Sequence, residues 1–174
     1  MGEIKESGYS KLIAGFMYTD EIILNEAIGI MKERFGEIED RCEPFDFNYT
    51  KYYDEEMGPG IKKIFVSFGE LVLKDSFSEI KKYTNDVEEA LMKNGKRRVN
   101  IDPSYMTDKM LVIASTKESG HRVAIGNGIY AEVALIFANG SWMDFFFTYA
   151  DYKDDKNKEF FSKVRSSIIK NQST

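Results

Sequence analysis

The chain reads as a single α+β domain whose sheet is mostly antiparallel, with mixed pairing allowed and helices packed on it. Three observations lead there. Short apolar runs alternate with amphipathic helical stretches in the first hundred residues, two Asn-Gly turns then join strand-like segments into a meander, and an amphipathic helix closes the chain. At 174 residues the chain has a one-domain length and can bury roughly 70% of its unfolded surface. Residues 1–10 read as a polar tail and residues 11–170 as the domain.

The run LIAGFMY at 12–18 is continuously apolar, as in a strand covered on both faces. Thr19 then offers an N-cap, with Asp20 and Glu21 in the positive first turn of a helix. Leu24, Ala27, Ile28, Met31 and Phe35 recur at helical spacing, and Gly36 ends that helix. Phe45, Phe47 and Tyr49 alternate with Asp46 and Asn48, which predicts a half-buried strand. YYDEEMGPG at 52–60 carries the strongest loop signal, and 61–68 returns to a strand. A second helix starts at Ser76, with Glu79 completing a capping box, shows a stripe of Phe77, Ile80, Thr84, Val87 and Leu91, and closes at Asn94-Gly95. Val99 and Ile101 alternate with Arg98, Asn100 and Asp102 on a short strand. The segment 105–116 suits a helix or a buried strand, and is assigned to helix from near Thr107 and Asp108.

Residues 121–125 and 129–137 flank Gly126-Asn127-Gly128 in a hairpin, and Asn139-Gly140 turns a second. The last helix covers about 155–170, with Phe160, Phe161, Val164 and Ile168 inward. The order strand–helix–strand–strand–helix–strand predicts a ferredoxin-like sheet extended by a C-terminal meander and helix.

Composition narrows the function classes. Lys and Arg total 24 and Asp and Glu 29, a net charge of −5, so the surface as a whole does not attract a phosphate backbone. Lys96-Arg97-Arg98 precedes a strand without the aromatics of an RNA-binding sheet, and nucleic acid is disfavoured. One cysteine, Cys42, excludes an internal disulfide and a multi-thiolate zinc site. The polar start lacks a signal-peptide core, and position 6 is Glu6 where myristoylation needs Ser or Thr. The longest apolar run has seven residues, against about 20 for a membrane helix. A cytoplasmic location without a membrane partner is expected.

No phosphate-cradling G-x-x-x-x-G-K-[ST] loop and no G-x-S-x-G elbow occur. With Ile125 facing Ile129 across the hairpin, Arg122 falls opposite Glu132. That pair is either an exposed ion pair or a guanidinium steered toward an anion. Lys117 and the sole histidine, His121, lie close by. Asp54, Glu55 and Glu56, and again Asp151, Asp154 and Asp155, read as solvated loop charge, so no metal ligand is assigned. Lys81, Asn85 and Glu88 form a polar stripe on the second helix, read as a solvent face with one weak helical pair.

The motifs KLIAGFMYTDE, YYDEEMGPGIKK, EIKKYTNDVEEAL, RVNIDPSYM, LVIASTK, HRVAIGNGIYAEVAL and TYADY, in this order, resemble the bacterial and archaeal family called domain of unknown function 4416. The resemblance implies one domain over about nine-tenths of the chain, with no activity or cofactor assigned. It places Glu56, Gly58, Lys81, Asn85, Glu88, Asn100, Asp102, Tyr105, Lys117, His121, Arg122, Glu132 and Asp151 in family motifs. Two departures are visible: Phe147 and Ala150 stand where the family usually has Trp and Pro, and Ser104 where it has Gly.

Residues and motifs meet in one expectation, a charged pocket beside the C-terminal half of the sheet that binds a small anionic or phosphorylated metabolite. Lys117 and Arg122 would grip the anion and Glu132 would orient Arg122, with Asn100, Tyr105, Lys81 and Asn85 also contacting the ligand. An enzyme version uses His121 as acid or base with Asp102 or Asp151 as partner. The competing class is a non-catalytic interaction domain built on the aromatic surface. No cofactor is assigned, and the oligomeric state stays open, a homodimer included.

Overall fold

The computed structural model describes residues 2–172. The elements in chain order are β1 (Tyr9–Tyr18), α1 (Glu21–Phe35), β2 (Ile38–Arg41), β3 (Phe45–Asp46), α2 (Asp54–Met57), β4 (Lys62–Leu73), α3 (Phe77–Ala90), β5 (Val99–Met106), β6 (Met110–Ser115), β7 (Val123–Gly126), β8 (Ile129–Ala138), β9 (Ser141–Asp144), α4 (Ala150–Lys153) and α5 (Asp155–Gln172). They build one α+β domain around a nine-stranded sheet ordered β2-β4-β1-β5-β6-β8-β7, with β3 beside β4 and β9 beside β8. Every strand pair is antiparallel. The segment β1-α1-β2-β4-α3-β5 is the ferredoxin-like unit, and β6 to β9 extend its sheet past β5. Among the described residues no helix is long and apolar enough to cross a membrane.

The continuous apolar run in β1 has the predicted cause. Leu12, Ala14, Phe16 and Tyr18 pack under α1 and α3, while Ile13 packs with Phe65, Tyr152 and Phe161 under α4 and α5. A strand between two helical layers has no wet face, so its pattern does not alternate.

Several local expectations need correction. Asp20, not Thr19, caps α1, accepting from the Ile22 N–H at 2.8 Å. Ser76 bonds the Leu73 carbonyl at 2.7 Å at the end of a 3₁₀ turn and makes no capping box with Glu79. Asn94 and Gly95 do not end α3; they turn a tight loop between Lys93 and Lys96, with φ of 54° and 72°. The 45–49 strand shrinks to Phe45 and Asp46, and β2, which no alternation announced, is the second strand of the unit. The loop at 52–60 contains the short helix α2.

The segment 105–116 is not a helix. Tyr105 and Met106 finish β5, Thr107 Oγ1 accepts from the Lys109 and Met110 N–H groups in a tight turn, and β6 follows. Leu111 and Ile113 face one core and Val112 and Ala114 the other, and such doubly covered strands show no period that separates them from a helix. In the β7–β8 hairpin Ala124 pairs with Tyr130 as expected, but Gly126 rather than Ile125 pairs with Ile129. Asn127 and Gly128, at φ 55° and 72°, form a two-residue turn with both residues left-handed, and Ile125 is left as a bulge.

Gly15 sits mid-strand in β1, opposite Phe65 of β4 and Asp102 of β5. A Cβ there would meet Lys63 Cε at 2.8 Å and Phe65 Cε1 at 3.0 Å. Gly15→Val is therefore expected to lower stability by about 1–3 kcal/mol through overpacking. Gly29, exposed on α1 with nothing within 4 Å of a Cβ, is the opposite case. Gly29→Ala is expected to raise stability by about 0.5–1 kcal/mol. Urea unfolding of the two variants checks both signs.

Candidate functional site

The site begins where the sheet splits. β5 pairs with β1 along its whole length, but with β6 only from Ser104 to Met106. Pro103 comes next and has no N–H to give a ladder. From there β5 and β6 diverge, and a cleft of about 720 Å³ opens between them. The unpaired edge of β5 still presents the peptide groups of Ile101, which point away from β1, and α3 supplies their partners. Glu88 Oε1 accepts from the Ile101 N–H at 2.7 Å, and Lys81 Nζ donates to the Ile101 carbonyl at 3.0 Å. Lys81 and Glu88, at 5% and 7% exposure, are thus not a solvent face, as their spacing had suggested. They replace a missing strand.

Strand β4 contributes Lys63, which is 2% exposed and whose side chain lies on the α4–α5 side of the sheet. Its ammonium lies 2.7 Å from Asp151 Oδ2 and 3.7 Å from Asp102 Oδ2, beside the rings of Phe65 and Tyr152. Burial works against this charge, but Asp151, with Tyr152 and Asp102 behind it, outweighs burial and holds the Lys63 pKa above the ordinary lysine value. Asp151 is 3% exposed and belongs to α4, so it is not solvated loop charge. Asp102 stands between the layers, with Oδ1 3.8 Å from Lys81 Nζ and Oδ2 accepting from Asn100 Nδ2 at 2.9 Å. Arg97 closes that end, donating to Asn100 Oδ1 at 2.8 Å and pairing with Glu56 at 3.2 Å and Glu88 at 3.6 Å. Arg98 pairs with Asp20 at 3.1 Å, so both arginines of the basic cluster are taken up inside the chain.

The remaining wall is aromatic. Phe47, Tyr52 and Tyr53 come from the β3–α2 segment, and Tyr149 and Tyr152 from the other side. Lys117, at the mouth, lies 4.2 Å over the Tyr52 ring and pairs with no carboxylate among the described residues. Burial, with Asp102 adding to it, raises the Tyr53 phenol to about 12, so the ring presents a neutral hydroxyl at physiological pH.

Lys81, Asn85, Asn100, Asp102, Lys117 and Asp151 line this cleft, while His121, Arg122, Glu132 and Tyr105 do not. Arg122 is not a free anion grip. Its Nε donates to Glu132 at 2.8 Å, one terminal nitrogen to Ser115 Oγ and the Lys117 carbonyl, and the other to Tyr149 Oη at 2.6 Å. Nor is the pair an exposed one, with side chains 6% and 1% accessible. Arg122 therefore braces Ser115, Lys117 and Tyr149, which do line the cleft. His121 is held by Ser119 at 3.1 Å, Glu132 at 2.8 Å and a stacked Phe147 ring at 4.3 Å, apart from Asp102 and Asp151. Tyr105 packs edge-on against Phe77.

Sequence reasoning left Lys63, Glu88, Arg97 and the aromatic wall off the list of site residues. Lys63 had a readable signal, a lysine two residues before Phe65 on an apolar strand, where the two share a face.

The model of the family described as "Domain of unknown function (DUF4416)" matches residues 9–167, and the chain belongs to that family. No curated protein and no solved structure matches the chain.

The titration of the cleft carboxyl Glu88 moves into the neutral range. Burial raises its pKa from 4.5 to about 7, against the opposing pull of Lys81, the Ile101 N–H and Arg97. Between those values the folded protein keeps a proton that the unfolded chain has released, so stability falls as pH rises from about 4.5 to about 7 and is level above. The contribution is on the order of 3 kcal/mol. Glu88→Gln is expected to remove that slope. Urea unfolding of both proteins across pH 5 to 8 checks it, with the wild type losing ground to the variant as pH rises.

Proposed function

We propose that this family member is a cytoplasmic domain that holds a small organic anion in the cleft between β5 and β6. One observation carries the reading: the cleft gathers polar groups that the fold itself leaves unspent. The exposed Lys117 ammonium has only the Tyr52 ring as a partner among the described residues. Asn85 is half-buried and has no hydrogen-bond partner among the described residues. Lys81 gives one hydrogen bond to Ile101 and faces Asp102 only at 3.8 Å. Polar groups in a cleft that have hydrogen-bonding capacity to spare can turn it to a ligand, and a concave, aromatic-walled site with a few convergent polar groups suits a small one. Lys117 at the mouth is the cation that meets the anionic group first. Tyr52 beside it covers the ligand's apolar part.

The acid–base version built on His121 draws no support from this cleft, since His121 is held elsewhere. The interaction-domain reading would rest on exposed aromatics such as Tyr52, Tyr149 and Phe146, but Tyr52 and Tyr149 line the cleft and serve the ligand-binding reading equally well.

Thermal unfolding against inorganic phosphate, glycerol 3-phosphate, ribose 5-phosphate, AMP, malate and citrate tests the proposal. A ligand at 100 times its Kd adds about 2.7 kcal/mol, which at about 2–4 °C per kcal/mol is a rise of roughly 5–10 °C. At least one organic anion is expected to give such a rise, and Lys117→Ala, at an exposed position, to abolish it while keeping the unliganded melting temperature. A panel without shifts, or a shift that survives in the variant, overturns the reading.

A further inference from the structure

We infer that the organic anion is a phosphorylated sugar or polyol, with its phosphate at Lys117 and its hydroxyls on Asp102, Lys81 and Asn85. The inference rests on the cleft's binding an anion, and it follows from how charge is laid out along the cleft floor. Asp102 lies between two ammonium groups, 3.7 Å from Lys63 and 3.8 Å from Lys81, and its side chain remains 28% exposed. An anionic group placed on Lys81 would come against this carboxylate, and like charges at that range repel. The deep end therefore rejects phosphate and carboxylate alike. Lys117 has no carboxylate partner among the described residues, so the charged group belongs at the mouth.

The deep end calls for a neutral group that donates and accepts at once. A distance of 3.8 Å between Lys81 Nζ and Asp102 Oδ1 is too long for a direct hydrogen bond. One oxygen about 2.8 Å from each atom closes the gap, accepting from the ammonium and donating to the carboxylate. A hydroxyl does both; an ether or a ketone only accepts, and an ammonium only donates. Asn85, on the same face of α3 as Lys81, offers a further donor and acceptor without a partner among the described residues. The rings of Phe47, Tyr52 and Tyr53 provide the apolar wall against which the carbon face of a sugar lies.

The test is isothermal titration with ribose 5-phosphate and glucose 6-phosphate against n-pentyl phosphate, ribose, inorganic phosphate and malate. The sugar phosphates are expected to bind at least about tenfold more tightly than n-pentyl phosphate, because a site built for hydroxyls rejects the analogue that lacks them. Asp102→Asn and, separately, Asn85→Ala are expected to erase that advantage while leaving n-pentyl phosphate affinity within about twofold. Asn85 bonds nothing else among the described residues, so the second variant keeps its fold if the first does not. Equal binding of n-pentyl phosphate and the sugar phosphates, or binding of malate alone, overturns the inference and leaves the anion site standing. Absence of binding by every anion overturns both.

Discussion

The peptide of Ile101 is the constraint on which the rest of the structure turns. It lies on a strand edge that has lost its neighbour, because β6 leaves β5 after Ile113 meets Ser104. A backbone N–H or C=O buried without a partner costs about 1–3 kcal/mol, and this peptide would present both. α3 removes the cost with two side chains, the Lys81 ammonium on the carbonyl and the Glu88 carboxyl on the N–H. A hydrogen bond from a charged group such as the Lys81 ammonium stabilises by about 1.5–3 kcal/mol and a neutral one by about 0.5–1.5 kcal/mol, so the open edge is stable without a strand. The cleft exists because that repair comes from side chains of a helix, which leave room where a strand would have filled the gap. The raised Glu88 pKa follows from the same arrangement, since a carboxyl that serves a buried peptide must itself be buried.

A second set of contacts couples the two helical layers through this gap. Lys63 belongs to the α4–α5 side and Lys81 to the α1–α3 side, and Asp102 stands within 3.8 Å of both. Gly15 makes this possible, because any larger residue in β1 would occupy the path of the Lys63 chain. Arg122 plays a different part. Its four donated hydrogen bonds tie Glu132, Ser115, Lys117 and Tyr149 together, so it sets the shape of the cleft's mouth without touching what enters. Removing one partner of such a buried pair typically costs 3–5 kcal/mol, which makes Arg122 a stability residue first.

The elements with a clear period were legible in the sequence. The helical stripes of α1, α3 and α5 and the Asn139-Gly140 turn stand where spacing and turn chemistry put them, and the first C-terminal hairpin is in place with its turn one residue shorter than expected. β6 was misread because a strand covered on both faces carries no period. β2 was missed because four residues, IEDR, with alternate half-burial give too little pattern. The site was half legible. Lys81, Asn85, Asn100, Asp102, Lys117 and Asp151 come from four separate segments, and motif membership alone grouped them. The polar stripe of α3 was visible, but whether a polar stripe faces water or an orphaned strand edge depends on where β6 goes, and nothing local in the chain records that departure. Arg122 and Glu132 were correctly paired and wrongly placed, since register fixes who faces whom and not which way a guanidinium's remaining hydrogens point.

Hydrogen exchange at a single amide tests the account most directly. If Glu88 stands in for a strand, the Ile101 N–H exchanges as slowly as the ladder amides of β1, although it belongs to no ladder on its own side, and Glu88→Ala speeds it selectively by more than about tenfold, the equivalent of 1.4 kcal/mol. Exchange of the wild-type Ile101 amide at the rate of the 52–60 loop amides would contradict the account, because the sheet's open edge would then be unrepaired.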